Sequence, residues 1–376
     1  MKFPFAALLL LLPALAGADA PPVPPPPTIA AEAWALMDQA SGQIITGHGA
    51  DQSVEPASLT KLMTAYAVFQ ALRGGKLKLE TQVPISEHAW RAEGSRTFLD
   101  LGSKVPVEML LQGMIVQSGN DASIALAEAV AGTEQTFAAL MNQYAERLGM
   151  TGSHFENATG LPGANHHVTV TDMAKLARAV IREFPDYYRW YSQREFTWNG
   201  ITQANRNGLL GRDPSVDGVK TGMTDTAGYC LISSAKREGM RLVAVVVGTD
   251  SMKAREDASL VLLNYGFSFF ETRKLQPAGQ EMASLRVYKA SGGRAAVGVA
   301  EDLYVTLPRG QGERIELKLE LAPKVFAPLS AADRVGVVRA MLDGKPVAEA
   351  ALHPVADVPL GGFFRRLWDM IVSWFN

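Results

Sequence analysis

The chain lacks both the excess of basic residues that would indicate a nucleic-acid partner and the cysteines that would form disulfides. It contains a single cysteine, Cys230, so no internal disulfide can form. Lysine and arginine number 36 against 38 aspartates and glutamates, and this near balance gives no reason to expect a nucleic-acid partner. Hydrophobic residues make up 47%, so a well-buried core must supply the stability. Cys230 lies in an apolar strand pattern, where a thiol behaves as a small hydrophobe rather than a nucleophile.

The amino-terminus lacks an apolar run long enough to cross a bilayer. Lys2 is followed by an apolar stretch from Phe5 to Ala16 and then by small residues. This order is typical of a secretory signal peptide, and we expect residues 1–18 to be removed by cleavage after Ala18. A retained membrane anchor is the alternative, although the run is shorter than a bilayer span. The proline-rich residues 19–28 are then a stiff, extended leader on an exported protein.

A helix beginning near Ser58 is the most informative element of the chain. Apolar residues recur at three- and four-residue spacing from Leu59 to Phe69, and two glycines follow shortly afterwards. Ser58 lies in the first turn, where backbone N–H groups lack helical partners and the helix dipole favours developing negative charge. Lys61 lies one turn later on the same side. A lysine buried in a dry cleft loses its proton readily, and a neutral amine beside a hydroxyl makes that serine a nucleophile.

Two later stretches carry polar residues that fit the same chemistry. Ser-Gly-Asn at 118–120 stands between two helical patterns, so a tight connection leaves its serine and asparagine facing a cleft. Lys-Thr-Gly at 220–222 follows a turn-rich segment and precedes a strand pattern beginning at Gly228. A glycine in such an edge strand lets a ligand backbone approach closely. Ser-x-x-Lys, Ser-x-Asn and Lys-Thr-Gly in this order are the signature of penicillin-binding proteins and serine β-lactamases.

The order of the remaining elements predicts an α+β fold over residues 29–273. We expect early strands, many helices and late strands, which together indicate an antiparallel sheet packed with helices. The expected strands lie at 33–37, 44–46, 228–234 and 242–247, and the expected helices at 107–116, 124–130, 136–148, 171–184 and 254–270.

A separate small β-domain is expected at residues 277–356. Charged and apolar residues alternate from Arg314 to Leu321, which is typical of a strand with one buried face. Asp343-Gly344, between two apolar segments, is a hairpin signal. We find no chemistry in this region and interpret it as a spacer or docking module.

The pattern of residues 361–376 predicts an amphipathic helix that lies in a membrane interface. Its polar and apolar residues separate completely on a helical wheel, and the run is too short and too charged to span a bilayer. A helix that docks its apolar face on the protein is the alternative, but the flexible segment before it favours the membrane. The apolar side holds Phe363, Phe364, Leu367, Trp368, Met370, Ile371, Trp374 and Phe375, and the polar side holds Arg365, Arg366, Asp369, Ser373 and Asn376.

The chain resembles the D-alanyl-D-alanine carboxypeptidases, low-molecular-mass penicillin-binding proteins that trim peptidoglycan stem peptides. The resemblance rests on the three motifs, the later Arg255, the β-domain and the C-terminal helix. It implies a β-lactamase/transpeptidase-like catalytic domain, β-lactam antibiotics as inhibitors, no metal, no cofactor, and a periplasmic enzyme attached peripherally to the outer face of the cytoplasmic membrane. It implies Ser58 as the acylated nucleophile, Lys61 as its base, Ser118 as a proton relay, Asn120, Lys220, Thr221, Gly222 and Arg255 as substrate-binding residues, and the N–H groups of Ser58 and Met223 as the oxyanion hole.

Elementary chemistry agrees with several of these roles. A backbone N–H at the start of a helix is a natural donor to an oxyanion. Lys220 near Lys61 helps to keep that amine neutral, because like charges disfavour each other. The guanidinium of Arg255 offers two parallel donors to the free carboxylate that a carboxypeptidase must recognise. An ordinary surface arginine on a helix is the alternative for Arg255.

The sequence also allows other interpretations. Some relatives place a histidine after Lys-Thr-Gly where this chain has Met223, so deacylation here is expected to be slower or to use another group. A β-lactamase is one alternative, but no Glu-x-x-Leu-Asn stretch follows Ser118. A penicillin-binding sensor or wall-docking protein that acylates without turnover is another, but the chain has neither a spanning helix nor a signalling domain. His166 and His167 are adjacent and lack partners at metal-ligand spacing, so we assign no metal.

Overall fold

A five-stranded antiparallel sheet organises the larger part of the molecule in the computed structural model, which describes residues 22–373. The predicted signal peptide lies outside the described residues, as do Trp374, Phe375 and Asn376. The strands of this part are β1 (Ala33–Asp38), β2 (Ile44–His48), β3 (Gln82–Pro84), β4 (Lys104–Pro106), β5 (Glu195–Trp198), β6 (Ile201–Ala204), β7 (Val216–Thr224), β8 (Gly228–Arg237) and β9 (Met240–Thr249). The main sheet has the order β2-β1-β9-β8-β7, which places β7 at an edge.

Helices cover both faces of this sheet. They are α1 (Lys61–Arg73), α2 (Glu87–Trp90), α3 (Val107–Gln112), α4 (Asn120–Ala131), α5 (Glu134–Arg147), α6 (Val170–Glu183), α7 (Pro185–Tyr188), α8 (Leu209–Arg212) and α9 (Met252–Phe269). Strand β9 shows the consequence, because its side chains at 242, 244 and 246 pack in the cluster that includes α9, while those at 243, 245 and 247 pack with α1, α4 and α6. A strand buried on both faces is continuously apolar, as Leu242–Val247 is.

The predicted helices and strands of the catalytic part are present, with shifted ends. The expected early hairpin is β1 and β2, whose residues pair in antiparallel register. The helix expected at 107–116 divides into α3 and one turn of π-helix at Gly113–Gln117. The small antiparallel pair β3–β4, the hairpin β5–β6 and the short helices α2, α7 and α8 were not expected, because segments of three or four residues leave little periodicity to detect.

The second part of the chain is a β-structure, as predicted. Its strands are β10 (Phe270–Gln276), β11 (Ala283–Tyr288), β12 (Arg294–Val299), β13 (Leu303–Pro308), β14 (Ile315–Leu321), β15 (Val325–Phe326), β16 (Gly336–Leu342) and β17 (Lys345–Pro354). Six of them form a sheet of order β14-β16-β17-β12-β11-β15, and β10 pairs with β13. Asp343-Gly344 forms the turn between β16 and β17, which confirms the hairpin prediction. Thr272 donates to Asp38 at 2.6 Å and so ties this part to the main sheet.

The last described element is helix α10 (Phe363–Val372), and it docks on the β-domain by its polar side. Asp369 is 2% exposed and accepts hydrogen bonds from the backbone N–H of Lys289 at 2.7 Å and from Arg365 at 3.1 Å. The apolar side chains at 363, 364, 367, 368, 370 and 371 are all exposed. The helix therefore keeps its aromatic face free of the protein.

Candidate active site

The serine and the lysine of the first motif lie within hydrogen-bond distance of each other. A 3₁₀ turn, Ala57–Thr60, carries Ser58 and runs directly into α1, which begins at Lys61. The Lys61 Nζ lies 2.9 Å from Ser58 Oγ and 2.6 Å from the carbonyl oxygen of Thr159. Ala57, just before the serine, has a φ of +46°, a conformation that costs a non-glycine residue about 1–3 kcal/mol and recurs at functional sites.

Burial makes Lys61 an unusual lysine. Its side chain is 1% exposed, and no carboxylate among residues 22–373 lies within ion-pair distance of it. Desolvation, followed by the charge of Arg206, lowers the pKa of Lys61 from 10.5 to about 7. A large fraction of the amine is therefore neutral near pH 7, and a neutral amine can accept the proton of the Ser58 hydroxyl.

A second lysine and serine form a parallel pair in the same place. Lys220 Nζ donates to Ser118 Oγ at 2.9 Å and to its neighbour's carbonyl, Thr221 O, at 3.0 Å. Burial, and then the charge of Lys61, lower the pKa of Lys220 well below 10.5. Ser118 ends the π-helical turn with a φ of +66°, so the backbone turns sharply and α4 begins two residues later. The second hydroxyl is thus also linked to a buried amine.

The Lys-Thr-Gly segment lies on the edge strand β7, which passes beside the Ser58 turn. A Cβ placed on Gly222 would lie 3.2 Å from both the Ala57 side chain and the Pro56 carbonyl oxygen. Glycine at this position thus allows the strand and the turn to approach closely. Met223 follows on the same strand and is 50% exposed at the cleft.

The asparagine of the second motif has one satisfied end and one free end. Asn120 Nδ2 donates to Glu93 O at 2.6 Å, whereas its Oδ1 is buried and has no hydrogen-bond partner among the described residues. The next residue, Asp121, is fully buried and accepts from the backbone N–H groups of Thr97 and Leu99. Sequence analysis missed this aspartate, which fastens the loop beside the cleft to the start of α4.

Arg255 is a buried arginine and not a surface residue of α9. It is 3% exposed, and its Nη1 donates to Gly222 O at 3.1 Å. Its Nη2 donates to Arg206 O at 3.3 Å, and its Nε has no partner in the described part of the chain. The guanidinium therefore lies against the Lys-Thr-Gly strand with unused donor capacity.

The predicted residues surround one cleft of about 550 Å³. Ser58, Ser118, Asn120, Thr221, Gly222, Met223 and Arg255 line it, while Lys61 and Lys220 lie buried behind it. Sequence analysis did not find several other lining residues, among them Thr159, Arg206, Tyr229 and Met252. No motif contains them, and only the fold brings them to the cleft.

His166 lies near the cleft in a neutral, buried state. His166 is buried and lies 3.0 Å from the Thr60 hydroxyl, and burial lowers the pKa of His166 to about 4, so the ring is neutral near pH 7. Within residues 22–373, no group of three or more histidine, cysteine, aspartate and glutamate side chains is placed to hold a metal ion. Cys230 is buried in β8.

This geometry defines a serine acyl-transfer enzyme of the penicillin-interacting class, and comparisons with known proteins agree. The D-alanyl-D-alanine carboxypeptidase family, peptidase S11, matches residues 20–251, and the C-terminal domain of penicillin-binding protein 5 matches residues 270–360. D-alanyl-D-alanine carboxypeptidase DacA of Escherichia coli K12 is 40% identical over 362 residues, which cover 94% of this chain and 90% of the relative. The structure of penicillin binding protein 5 from Haemophilus influenzae is similar with a TM-score of 0.83 and 41% identity, over 89% of this chain and 99% of that one.

The chain therefore belongs to the D-alanyl-D-alanine carboxypeptidase family, peptidase S11. It is a serine-type D-Ala-D-Ala carboxypeptidase, a hydrolase of the penicillin-binding proteins with a role in the cell wall. The family acts on peptidoglycan peptides and binds β-lactams. The predicted family, the fold class and the enzymatic function are confirmed.

Proposed function

We propose that Ser58 is the nucleophile and Lys61 the base that activates it. The neutral amine takes the hydroxyl proton while Ser58 Oγ attacks the carbonyl carbon between the last two D-alanines. The N–H groups of Ser58 and Met223 donate to the oxyanion that forms. The distance of 2.9 Å between a buried lysine amine and the serine oxygen is the observation that carries this assignment.

Ser118, Lys220 and Asn120 are proposed to complete the acylation step. Ser118 relays to the nitrogen of the departing D-alanine the proton that Lys61 took from Ser58, and Lys220, hydrogen-bonded to the Ser118 hydroxyl, holds that relay in place. The amide bond breaks, free D-alanine leaves, and an acyl-Ser58 ester remains. Asn120 holds the substrate amide, since its Oδ1 has no protein partner in the described residues. Water then attacks the ester and releases the shortened peptide.

Thr221, Gly222 and Arg255 are proposed to bind the end of the peptide that leaves. Thr221 and Gly222 are on the edge strand, where the peptide backbone can lie close to the glycine. Arg255 gives a positive field at the same side of the cleft, and it has an unpartnered buried Nε. A free C-terminal carboxylate is the group that this charge favours.

The test is release of D-alanine from a peptide ending in D-Ala-D-Ala by the purified protein and by Ser58→Ala. We expect stoichiometric penicillin labelling of Ser58 and multiple-turnover D-alanine release, both absent in the variant. Stable labelling without D-alanine release would favour a sensor. Rapid multiple-turnover penicillin hydrolysis would favour a β-lactamase. A penicillin adduct at another residue would overturn the assignment of Ser58.

We also propose that the chain is exported to the periplasm and attached to the membrane surface by α10. The polar side of α10 already contacts the β-domain through Asp369. The helix therefore does not need its apolar side to attach to the protein. Phe364 and Trp368, at 84% and 64% exposure, belong to a large aromatic face on a helix with arginines, a pattern typical of interfacial helices. In the described part of the chain, no helix has the length and apolarity to cross a bilayer.

Vesicle sedimentation tests this attachment. Removal of residues 363–376 is expected to abolish binding to anionic phospholipid vesicles and to leave acylation of Ser58 by penicillin unchanged. Substitution of Trp368 by aspartate in the full chain is the matched point change and should weaken binding more than Arg366→Ala. Undiminished vesicle binding after the truncation would refute the proposal.

A further inference from the structure

Three polar side chains around the start of α1 hold one loop segment. Thr64 Oγ1 donates to Ala158 O at 2.7 Å, Lys61 Nζ donates to Thr159 O at 2.6 Å, and the Thr60 hydroxyl lies 3.0 Å from His166 Nε2. The segment 157–166, which we name the lysine-holding loop, therefore touches α1 at the base itself and on both sides of it.

The side chain of Asn157 shapes this loop where it meets Lys61. Its Oδ1 accepts from the N–H and hydroxyl of Thr159 at 3.1 and 3.0 Å and from the N–H of Gly160 at 2.7 Å. Its Nδ2 donates to Leu161 O at 2.9 Å. Four hydrogen bonds from one side chain fix the peptide whose carbonyl oxygen faces the lysine.

His166 fastens the far end of the same loop. Its Nδ1 accepts from the N–H of Glu156 at 3.4 Å, so its Nε2 carries the proton and donates to the Thr60 hydroxyl. Both side chains are buried. Thr60 directly precedes Lys61, so the loop and the base are joined by a second link independent of Asn157.

We propose that Asn157 and His166 are positioning residues for the catalytic base: they fix the Thr159 carbonyl, which in turn orients the Lys61 amine toward Ser58. This inference rests on the proposed role of Lys61. One N–H of the neutral amine donates to Thr159 O, and its lone pair then points to the Ser58 hydroxyl. Without the fixed carbonyl the amine samples other rotamers, and misplacement of a reacting group by about 1 Å can cost roughly 10²-fold in rate.

A matched pair of asparagine variants separates positioning from folding. Asn142 also binds the backbone of this region through both side-chain atoms, to Phe155 N and Phe155 O at 2.8 Å each, but it holds a residue away from Lys61. We compare Asn157→Ala with Asn142→Ala in the full chain. The measurements are thermal stability and the second-order rate constant for acylation by a fluorescent penicillin between pH 5 and 9.

Both variants should lose thermal stability, but only Asn157→Ala should acylate about 10- to 100-fold more slowly at its optimum. Its acid limb should also move to lower pH, because a carbonyl acceptor stabilises the ammonium form of Lys61 and is lost. The charged groups that face Lys61 are Lys220 from β7, Arg206, Asp121 from α4 and Glu134 from α5, and neither variant changes them.

Equal acylation rates and equal pH profiles in the two variants would overturn the inference. If Asn157→Ala does not fold, Thr60→Val is the deciding variant, because it keeps the side-chain shape and removes only the link to His166. A wild-type acylation rate and pH profile in Thr60→Val would contradict the positioning role. Lys61→Ala, measured in parallel, distinguishes failure of the positioning role from failure of the proposed base. Wild-type acylation by Lys61→Ala would overturn the assigned base as well, whereas loss of acylation there with a normal Asn157→Ala would overturn only the positioning role.

Discussion

The cleft and the C-terminal helix both bury charged side chains, but in opposite ways. In the cleft, Lys61 and Lys220 are almost fully buried, with hydroxyls and carbonyls as partners and no carboxylate within ion-pair distance among the described residues. At the helix, Asp369 is equally buried but accepts from a backbone N–H and pairs with Arg365. A buried amine without a carboxylate partner tends to lose its proton.

This difference separates a reactive site from a structural one. Burial lowers the pKa values of the two lysines, so the fold disfavours their charged forms and thereby gains a base. Burial of Asp369, in contrast, only attaches α10 to the β-domain. The same contrast predicts which substitutions abolish chemistry and which loosen the structure.

The largest effect is expected from Lys61→Arg. A guanidinium stays protonated at every accessible pH and cannot accept the Ser58 proton, so acylation by penicillin should fall by about 10³-fold. Lys175→Arg is the matched control, because Lys175 has a carboxylate partner, Asp172, at 2.9 Å and lies away from the cleft. A rate for Lys61→Arg within tenfold of the control would remove Lys61 from the role of base.

Gly160→Ala should have the next largest effect. Gly160 has a φ of +85°, and an added Cβ would lie 1.8 Å from the Ala57 carbonyl oxygen, next to Ser58. We expect the free energy of unfolding to fall by about 3 kcal/mol and acylation to slow, because the serine turn must move. Gly149→Ala also forces a positive φ, but its Cβ meets open space, so a loss of about 1 kcal/mol and normal acylation are expected. Urea denaturation and penicillin labelling measure both, and equal losses in the two variants would contradict the close contact.

The placement of the motif residues at one cleft was predictable from sequence, because it follows from residue type and order. Ser58 and Lys61 follow from helical spacing, and Ser118 and Lys220 from the accompanying motifs. The strained backbone at Ala57, the buried Asp121 and the loop carbonyl of Thr159 did not follow. They depend on contacts between segments far apart in sequence, and no local pattern specifies which carbonyl will face a lysine.

The C-terminal helix shows a similar limit of prediction from sequence. The wheel correctly separates Trp368 from Asp369, because a regular helix has a fixed period. It does not reveal that the polar side is the docked one, since this depends on the backbone N–H of Lys289 in a distant strand end. Sequence thus predicts faces, and tertiary structure decides which face is covered.

The dependence of stability on pH should also reveal the buried base. Lys61 has a pKa of about 7 in the folded protein against 10.5 for an ordinary lysine. Between these values the unfolded chain binds the proton and the folded chain does not, so the free energy of unfolding rises with pH in this window, by up to about 1.4 kcal/mol per pH unit.

Lys61→Met removes this contribution, so wild type should gain stability relative to the variant from pH 7 to 10 in urea denaturation. Lys220→Met should show the same sign, because burial lowers the pKa of that lysine too. A constant difference between wild type and Lys61→Met across the window would show that the amine keeps its proton in the fold.

The smallest effect is expected from Asp369→Ala, and it would appear only in the helix. Loss of the acceptor leaves the Lys289 N–H unpaired and frees Arg365, so the free energy of local opening of α10 should fall by about 1–2 kcal/mol. Backbone amides of 363–372 should then exchange with deuterium about tenfold faster or more, while penicillin acylation stays unchanged. Arg366→Ala changes an exposed residue of the same helix and should leave exchange as in wild type. Unaltered exchange in Asp369→Ala would mean that the buried carboxylate does not hold α10 on the β-domain. The proposed structural role of Asp369, and with it the contrast with the buried lysines of the cleft, would then be wrong.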